Sequence, residues 1–281
     1  MVSDFKYKLS AVAIMKYEED YVLEWVAYHH CIGVEHFYIY DNNPESSMQA
    51  VLQKYIDAGI VDLIPAYGDV QMFKCYNNAI QSFKDDSEYI AFIDADEFIM
   101  PIQDTNLAEL VDSILTRFNK FGGSVGGLAV KWAVYGSGGH VHRPDGPVIE
   151  NYLYKENGEL DRHVKTIVNP RCVSAWINPH FPMYRNGCYS INEKGMRVFG
   201  PFMDGDERSL IRVNHYYYKS EDEFMKRVRK GKCDIRITES QMQDLINSKL
   251  DDLQSSNNEY DPIMLRYADR VKAEMQKFRS I

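Results

Sequence analysis

The sequence predicts an α/β protein with a mostly parallel central sheet, helices on both faces, a small β extension and C-terminal helices. Through residues 9–93, short apolar runs typical of strands alternate with segments whose apolar residues have helical spacing. This alternation is typical of right-handed βαβ units. Glycine, proline and short β-type runs dominate residues 122–218, which favours a mixed or antiparallel extension of the sheet. Helical spacing of apolar residues returns over residues 242–278.

The alternating part divides into strands and helices with clear stop signals. Predicted strands are Leu9–Met15, His36–Tyr40, Ile60–Ile64 and Tyr89–Ile93, and predicted helices are Glu18–Ile32, Met48–Ala58 and Gln71–Phe83. Gly33 and Gly59 end the first two helices, and a turn cluster begins at Asp41. The run Tyr89–Ile93 is almost continuously apolar, which indicates a central strand covered on both faces.

The remaining elements follow from weaker but specific signals. They are a helix at Leu107–Phe118, strands at Leu128–Val134, His163–Val168, Cys172–Ile177 and Arg212–Tyr217, and two late helices. Thr238 and Gln241 form a predicted capping box for the first late helix. Asp261 and Pro262 are the predicted N-cap and first residue of the second, whose apolar side should be Leu265, Ala268, Val271, Met275 and Phe278. Between these two helices, Gln254–Glu259 is predicted to be a flexible link.

Composition excludes several classes of protein. The 281 residues carry a net charge of −9, which argues against a protein that coats nucleic acid. No apolar run is long enough for a membrane-spanning helix, and the apolar run after Lys6 and Lys8 lacks a cleavage site, so it is interpreted as a strand. Five widely spaced cysteines disfavour a disulfide framework or zinc ribbon and suit a reducing compartment. We therefore expect a cytoplasmic protein.

The strongest chemical signal is the segment Ile90-Ala-Phe-Ile-Asp94-Ala-Asp96-Glu97-Phe98. A buried strand there delivers two carboxylates at its carboxyl end, the edge where open α/β sheets bind ligands. Clustered anions favour a cation, and oxygen ligands select Mg²⁺ or Mn²⁺, which can bridge a diphosphate. The alternative is a strand end whose acids cap the next helix. Phosphohydrolases with an aspartyl-phosphate intermediate fit less well, because they carry Thr or Val where Phe98 stands.

Five segments resemble glycosyltransferases of the GT-A fold, near family 2 and especially family 92. They are Lys16–Trp25 with Tyr28-His29, Tyr38–Asn42, Asp94–Phe98, Lys131-Trp132 with Tyr135–His140, and Asn214–Ser220. They occur in the order that the family has and span about residues 10–230. The resemblance implies a GT-A domain at 1–235, with a nucleotide-binding half at about 1–100 and an acceptor-binding half at about 101–235. A C-terminal helical extension would then occupy 236–281.

The resemblance also implies roles for residues at the strand ends. Asp41 would hydrogen-bond the nucleobase or ribose, and Lys16 and Glu18 would contact the same nucleotide. Asp41 could instead be only a turn former, and Lys16 and Glu18 a solvated helix start. Lys165 and Lys219 would face the diphosphate.

A metal site is implied by the same resemblance. Asp94 would contact ribose or metal, Asp96 would ligate the metal directly, and His215 would complete its coordination. An imidazole ligand favours Mn²⁺ over Mg²⁺. His215 could otherwise be a packed residue of a tyrosine-rich strand.

The implied reaction is transfer of a sugar from a nucleotide diphosphate, with UDP-sugar the expected donor, to a hydroxyl of a glycan or glycolipid. Inversion requires a carboxylate that accepts the acceptor proton. Glu150 is the favoured candidate because it follows the Gly138-Gly139 loop, and the alternatives are Asp145, Asp204, Asp206 and Glu207. Trp132, Tyr135 and Trp176 either stack on sugars or pack in the core.

Two other functions remain open. The first is a binding module that keeps the fold without turnover. The second, a nucleotidyltransferase, would need a glycine-rich loop where Met15–Glu18 stands. No nucleic-acid partner is expected, and the product would belong to a surface polysaccharide or glycolipid. For the C-terminal helices, docking on the domain is expected, with subunit pairing or peripheral membrane contact as alternatives.

Overall fold

A computed structural model describes residues 5–119, 124–156, 162–205, 208–231, 233–236, 238–255 and 257–279, with backbone alone for 249–255. The strands are β1 (Tyr7–Met15), β2 (His36–Asp41), β3 (Val61–Pro65), β4 (Ser87–Phe92), β5 (Glu97–Pro101), β6 (Ser124–Val134), β7 (Tyr154–Lys155), β8 (Val164–Val168), β9 (Val173–Ala175), β10 (Met183–Tyr184), β11 (Cys188–Ile191), β12 (Arg197–Val198), β13 (Ile211–His215) and β14 (Glu259–Tyr260). The helices are α1 (Val22–Cys31), α2 (Met48–Asp57), α3 (Met72–Phe83), α4 (Leu107–Asn119), α5 (Val148–Asn151), α6 (Glu221–Lys230), α7 (Glu239–Ser255) and α8 (Leu265–Phe278).

The central sheet has the strand order β12-β11-β6-β8-β4-β1-β2-β3. β1 lies between β2 and β4 and pairs in parallel with both, and β2 pairs in parallel with β3. β8 runs antiparallel between β4 and β6. The predicted α/β class with a mixed, mostly parallel sheet is therefore confirmed, and the carboxyl ends of β1, β2 and β4 meet at one edge.

The sheet buries both of its faces, as the apolar character of its strands predicts. On one face, Ala11 and Phe37 belong to the core that packs against α1, α2 and α8. On the other face, Val12 and Phe92 belong to a separate core that includes Trp176 and residues of α3. This three-layer arrangement leaves the ends of the strands as the surface at which polar side chains from several elements meet.

One of the strands that the sequence did not predict shapes the polar edge. β5 begins directly after Asp96 and pairs antiparallel with β13, so that Glu97 lies opposite His215. β13 in turn pairs in parallel with β6. Antiparallel pairing therefore brings two segments more than a hundred residues apart in sequence to the same turn.

The C-terminal region packs on the domain. Tyr267 of α8 meets Tyr28 of α1 edge to face, with ring centroids 5.4 Å apart. Glu274 of α8 accepts a hydrogen bond from His30 Nδ1 at 2.6 Å. The expected capping box at Thr238 and Gln241 is present, with both reciprocal hydrogen bonds. In the part of the chain that the structure describes, no helix is long and apolar enough to cross a membrane.

Three predictions about this region were wrong. Asp261 is not the N-cap of α8, because that helix begins at Leu265 and its N-cap is Met264. The Asp261 carboxylate instead accepts hydrogen bonds from Ile263 N at 3.2 Å, in the turn before the helix, and from Arg212 Nη2 at 2.7 Å. Leu265 is 40% exposed rather than buried. The predicted link Gln254–Glu259 is partly ordered secondary structure, since α7 reaches Ser255 and β14 pairs with β7.

Helix α6 was also missed by the sequence reasoning. Its start is a full capping box, in which Ser220 and Glu223 exchange side-chain-to-backbone hydrogen bonds. The helix has few apolar residues, so the hydrophobic spacing that revealed the other helices is weak there. Its basic last turn lies at the polar edge of the sheet and forms part of the candidate site.

Candidate functional site

The carboxyl end of β4 carries a buried network of opposite charges. Lys165 of β8 is 1% exposed, and its Nζ donates to Asp94 Oδ2 at 2.8 Å and to the carbonyl oxygen of Pro179 at 3.2 Å. The same Nζ lies 3.5 Å from Glu97 Oε2. Glu97 Oε2 also accepts a hydrogen bond from the Asp94 backbone amide at 2.8 Å. This network fixes the orientation of Asp94 before any ligand arrives.

Burial and charge act in opposite directions on the pKa values of this network. Burial alone would raise the pKa of Asp94, but the Lys165 ammonium outweighs it and holds that pKa below its usual range. Burial raises the pKa of Glu97, and the charge of Asp94 adds to the rise while Lys165 opposes it. Lys165 therefore favours the ionised form of Asp94.

Asp96 occupies the tight turn between β4 and β5. Its Oδ2 lies 3.5 Å from His215 Nε2 and forms an ion pair with Arg227 of α6. Trp25 of α1 stabilises the turn by donating its indole N–H to the carbonyl oxygens of Asp94 and Glu97. The Trp132 ring packs on His215, with centroids 4.1 Å apart. Four separate elements therefore position this carboxylate and imidazole.

Two cavities adjoin Asp96. The first, which we name the strand-edge cavity, has a volume of about 220 Å³ and is lined by residues that include Lys16, Asp94, Trp132 and His215. The second, which we name the tyrosine cavity, has a volume of about 430 Å³. Its lining includes Tyr17, Tyr21, Tyr217, Tyr218 and Lys219. Both cavities share a wall made of Glu18, Asp96, Tyr217, Arg227 and Lys230.

The structure brings most of the predicted site residues to these cavities. Lys16 lines the strand-edge cavity, and Glu18 lies in the shared wall, where it pairs with Lys230. Glu18 belongs to the turn before α1, because that helix begins at Val22 rather than at Glu18. Asp41 lines neither cavity: it lies buried at the end of β2, where its Oδ1 accepts a hydrogen bond from Asn43 N at 3.0 Å. That contact is the turn-forming role that the sequence left open.

Three further predicted residues lie elsewhere than expected. Lys165 sits beneath the site with its charge directed at Asp94 and Glu97, so it positions Asp94 and lines neither cavity. Lys219 lines the tyrosine cavity and is separated from Asp94 by the shared wall. Glu150 lines neither cavity, because it lies on α5 with Oε1 2.7 Å from Lys272 Nζ of α8.

Among the other candidates for the proton acceptor and for the stacking residues, some lie away from the cavities and one lines a cavity. Asp204 pairs with Arg162, and Asp206 and Glu207 lie outside the described residues. Trp176 and Tyr135 are fully buried core residues, so neither stacks on a sugar. Trp132 lines the strand-edge cavity, where its ring is placed to contact a ligand.

Sequence reasoning missed the cations of α6 and the role of Glu97. The segment Lys226–Lys230 holds four cations in five residues, directly after the capping box, and this density is a signal that could have been used. Glu97 adjoins the recognised aspartates, but only the unpredicted strand β5 shows that it points inward. The density of cations in α6 is a local signal, but their pairing with Asp96 and Glu18 and the inward position of Glu97 depend on tertiary contacts.

The metal site stays a prediction. Among the described residues, no group of three or more His, Cys, Asp or Glu side chains converges on one point that could hold a metal ion. Asp96 and His215 nevertheless approach each other as two ligands of one ion would. Asp94 is directed to Lys165 instead. A divalent ion here would therefore need ligands from its substrate or from water.

A buried acid, Glu24, should make the stability of the protein depend on pH. Glu24 of α1 accepts hydrogen bonds from the backbone amides of Val148 at 2.8 Å and Ile149 at 3.1 Å. Burial raises the pKa of this carboxyl from 4.5 to about 7, although both hydrogen bonds oppose the rise. Because the folded-state pKa is the higher one, the stability that Glu24 contributes is complete below pH 4.5 and is lost as the pH rises through 7.

We therefore expect the stability advantage of the wild type over Glu24→Gln to shrink as the pH rises from 5 to 7. The slope should approach about 1.4 kcal/mol per pH unit, since Gln does not titrate. Urea unfolding at a series of pH values measures it. Glu109→Gln, at an exposed position of α4, is the control and should show no such slope. A constant difference between wild type and Glu24→Gln would show that the pKa of Glu24 is not raised.

Comparison with known sequences gives a family match over most of the chain. The sequence model of glycosyltransferase family 92 matches residues 9–249. A glycosyltransferase family 92 protein of Ricinus communis is 28% identical over 218 residues, which are 76% of this chain and 36% of that protein. One of Arabidopsis thaliana is 23% identical over 231 residues, which are 79% of this chain and 37% of that protein. The chain thus spans little more than a third of the length of these curated relatives.

Comparison with solved structures gives similar chains of low sequence identity. A fragment of S. aureus TarS, residues 1–349, in complex with UDP has a TM-score of 0.43 and 11% identity, and the match covers 86% of this chain and 70% of that one. The same fragment in complex with UDP-GlcNAc has a TM-score of 0.39 and 14% identity, with 86% and 71% covered.

Proposed function

The chain belongs to glycosyltransferase family 92, and on this premise we propose that it transfers a sugar, with inversion, from a nucleotide-diphosphate donor to an acceptor hydroxyl. The observation that carries the proposal is the placement of Asp94 and Asp96 at the carboxyl end of a central strand, beside a cavity that also contains His215 and Lys16. This edge is where open α/β sheets bind nucleotides. UDP-sugars are the donors that we propose to test first.

The donor would lie in the strand-edge cavity. Lys16 supplies a cation at the end of β1, and Asp94, held ionised by Lys165, can accept hydrogen bonds from ribose hydroxyls. Met72 and Cys233 give the far end of the cavity an apolar wall, which suits a nucleobase. The cavity therefore combines the contacts that the two halves of a nucleotide require.

Asp96 and His215 would hold a divalent ion, and their carboxylate and imidazole donors suit Mn²⁺. Such an ion supplies Lewis-acid stabilisation of the departing diphosphate. With two protein ligands, the ion would need further ligands from the diphosphate or from water. Arg227, which pairs with Asp96, would have to give up that contact to make room for the ion. Its guanidinium could then contact the diphosphate, since bidentate contacts to phosphate oxygens suit its geometry.

Calorimetric titration with UDP, with and without Mn²⁺, and an assay of nucleotide release from a panel of nucleotide sugars together test the proposal. We expect Mn²⁺ to strengthen UDP binding at least about tenfold, an effect of about 1.4 kcal/mol. Nucleotide release should depend on the sugar donor and on an acceptor. Tight binding without release across the whole panel would indicate a binding module. A protein that binds no nucleoside diphosphate would contradict both functions.

A further inference from the structure

A buried lysine at the tyrosine cavity has no carboxylate partner among the residues that the structure describes. Lys219 is 8% exposed, and no carboxylate oxygen of the described residues lies within 4.0 Å of its Nζ in an ion pair. Its Nζ lies 3.5 Å from the centre of the Tyr21 ring, over the ring face. A cation–π contact compensates only part of the cost of burying an ammonium group. The wall of the cavity therefore presents a cation that an anionic ligand would stabilise.

The backbone of Lys219 adopts an unusual conformation. Its φ is 51°, in the left-handed region that non-glycine residues seldom adopt. This conformation turns the chain from β13 into the Ser220 cap of α6 and keeps the side chain over Tyr21. Burial lowers the pKa of Lys219, while Glu18 and Glu223 act in the opposite direction.

The cavity as a whole has an excess of positive charge. Three of its acids are paired: Asp96 with Arg227, Glu18 with Lys230, and Asp20 with Arg143. Glu223 accepts hydrogen bonds from the hydroxyls of Tyr21, Tyr152 and Ser220, and Glu19 accepts one from Asn43. Lys219, Lys226 and Arg229 form no ion pair among the described residues. In a protein of net charge −9, this local surplus of cations favours an anion.

We propose that the tyrosine cavity binds the acceptor and that the acceptor is an acidic saccharide, whose carboxylate or phosphate group contacts Lys219 with Lys226 and Arg229 at the rim. This proposal rests on the proposed glycosyl transfer. Four tyrosines line the same cavity, and their rings and hydroxyls suit the faces and hydroxyl groups of a sugar. Its volume of about 430 Å³ lies in the range of small-molecule sites.

The donor diphosphate does not account for this surplus of cations. Lys16, Asp94 and His215 line the strand-edge cavity and not the tyrosine cavity. The two cavities meet at the Asp96–Arg227 and Glu18–Lys230 pairs. An acceptor in the tyrosine cavity would therefore approach the donor across Asp96 while its own anionic group remained at Lys219.

Three ligands that share a pyranose ring test the proposal without any donor: glucuronic acid, glucose 6-phosphate and glucose. NMR titration of the wild type should show one or both acidic sugars binding at least about tenfold more tightly than glucose, and comparison of the two separates carboxylate from phosphate. Lys219→Met should abolish this preference, since a charge-assisted hydrogen bond contributes about tenfold or more. UDP affinity should stay within about twofold of the wild type. Equal binding of all three sugars by the wild type would overturn the proposal.

Further variants keep the test decisive. If Lys219→Met fails to fold, the double variant Lys226→Gln/Arg229→Gln, at exposed positions of α6, should reduce the preference for acidic sugars severalfold. Lys277→Gln removes an exposed charge of α8 and should change nothing. A loss of UDP binding in Lys219→Met as large as the loss for acidic sugars would assign Lys219 to the diphosphate and overturn the proposal. Preference for acidic sugars without transfer from any donor would overturn the acceptor role and the proposed function, leaving a saccharide-binding site.

Discussion

Asp96→Asn is expected to lower kcat/KM for sugar transfer at least about 100-fold, because it removes the charge that would hold the divalent ion at the diphosphate. Mn²⁺ affinity should fall with it, since His215 alone is a weak site. The fold should persist, because the substitution keeps the hydrogen bonds of this turn. Tyr216 N donates to the Asp96 carbonyl oxygen, and the Trp25 indole donates to the carbonyl oxygens of Asp94 and Glu97. Steady-state kinetics, Mn²⁺ titration and the melting temperature of the metal-free protein measure the three effects.

Asp57→Asn is the matched control for this prediction. Asp57 is an exposed residue at the end of α2 whose carboxylate contacts only Gln53 among the hydrogen bonds described. It should leave kinetics, Mn²⁺ affinity and melting temperature unchanged. An Asp96→Asn protein that keeps its Mn²⁺ affinity would remove Asp96 from the metal site. Collapse of the metal-free fold would instead make the Asp96–Arg227 ion pair a structural element.

Lys165→Met is expected to reduce the free energy of unfolding by about 3–5 kcal/mol at neutral pH, since it leaves Asp94 and Glu97 facing each other without a countercharge. The loss should be smaller at pH 5 than at pH 8. Without the ammonium, the folded-state pKa values of both carboxyls rise above those of the unfolded chain. The stability that their protonation gives is present at low pH and is lost as the pH rises. Urea unfolding at the two pH values measures the difference.

Two further variants serve to interpret the result for Lys165→Met. Lys165→Met/Glu97→Gln should recover part of the loss, because a neutral amide replaces one of the two buried carboxylates. Lys155→Met also removes a buried lysine, but the partner of Lys155 is Glu259, whose side chain is half exposed. It should cost about 1 kcal/mol or less, as exposed ion pairs do. Equal losses for Lys155→Met and Lys165→Met would show that the network at Asp94 is not specially dependent on its cation.

The sequence predicted some residues of the candidate site correctly and misplaced others. Asp94 and Asp96 were found because a buried strand followed by acids is a local pattern, and Lys16 and His215 because they belong to resembling segments. The structure places all four on one cavity. Lys165 was named for its charge, yet the structure directs that charge at Asp94, because β8 lies antiparallel beside β4. Glu150 was named for its distance from a loop in sequence, which says nothing of its contact with Lys272.

The sequence by itself determined the order of the strands and helices in residues 9–93, the α/β class and the two aspartates at the end of β4. Those features arise from apolar spacing and turn chemistry, which act between neighbours in the chain. Only the tertiary structure decided that β5 turns back onto β13, that Arg227 pairs with Asp96, and that Lys219 is buried with no carboxylate partner in the part of the chain that the structure describes. Each of these depends on groups brought together over long sequence separations, where the burial of charge rather than local preference sets the arrangement.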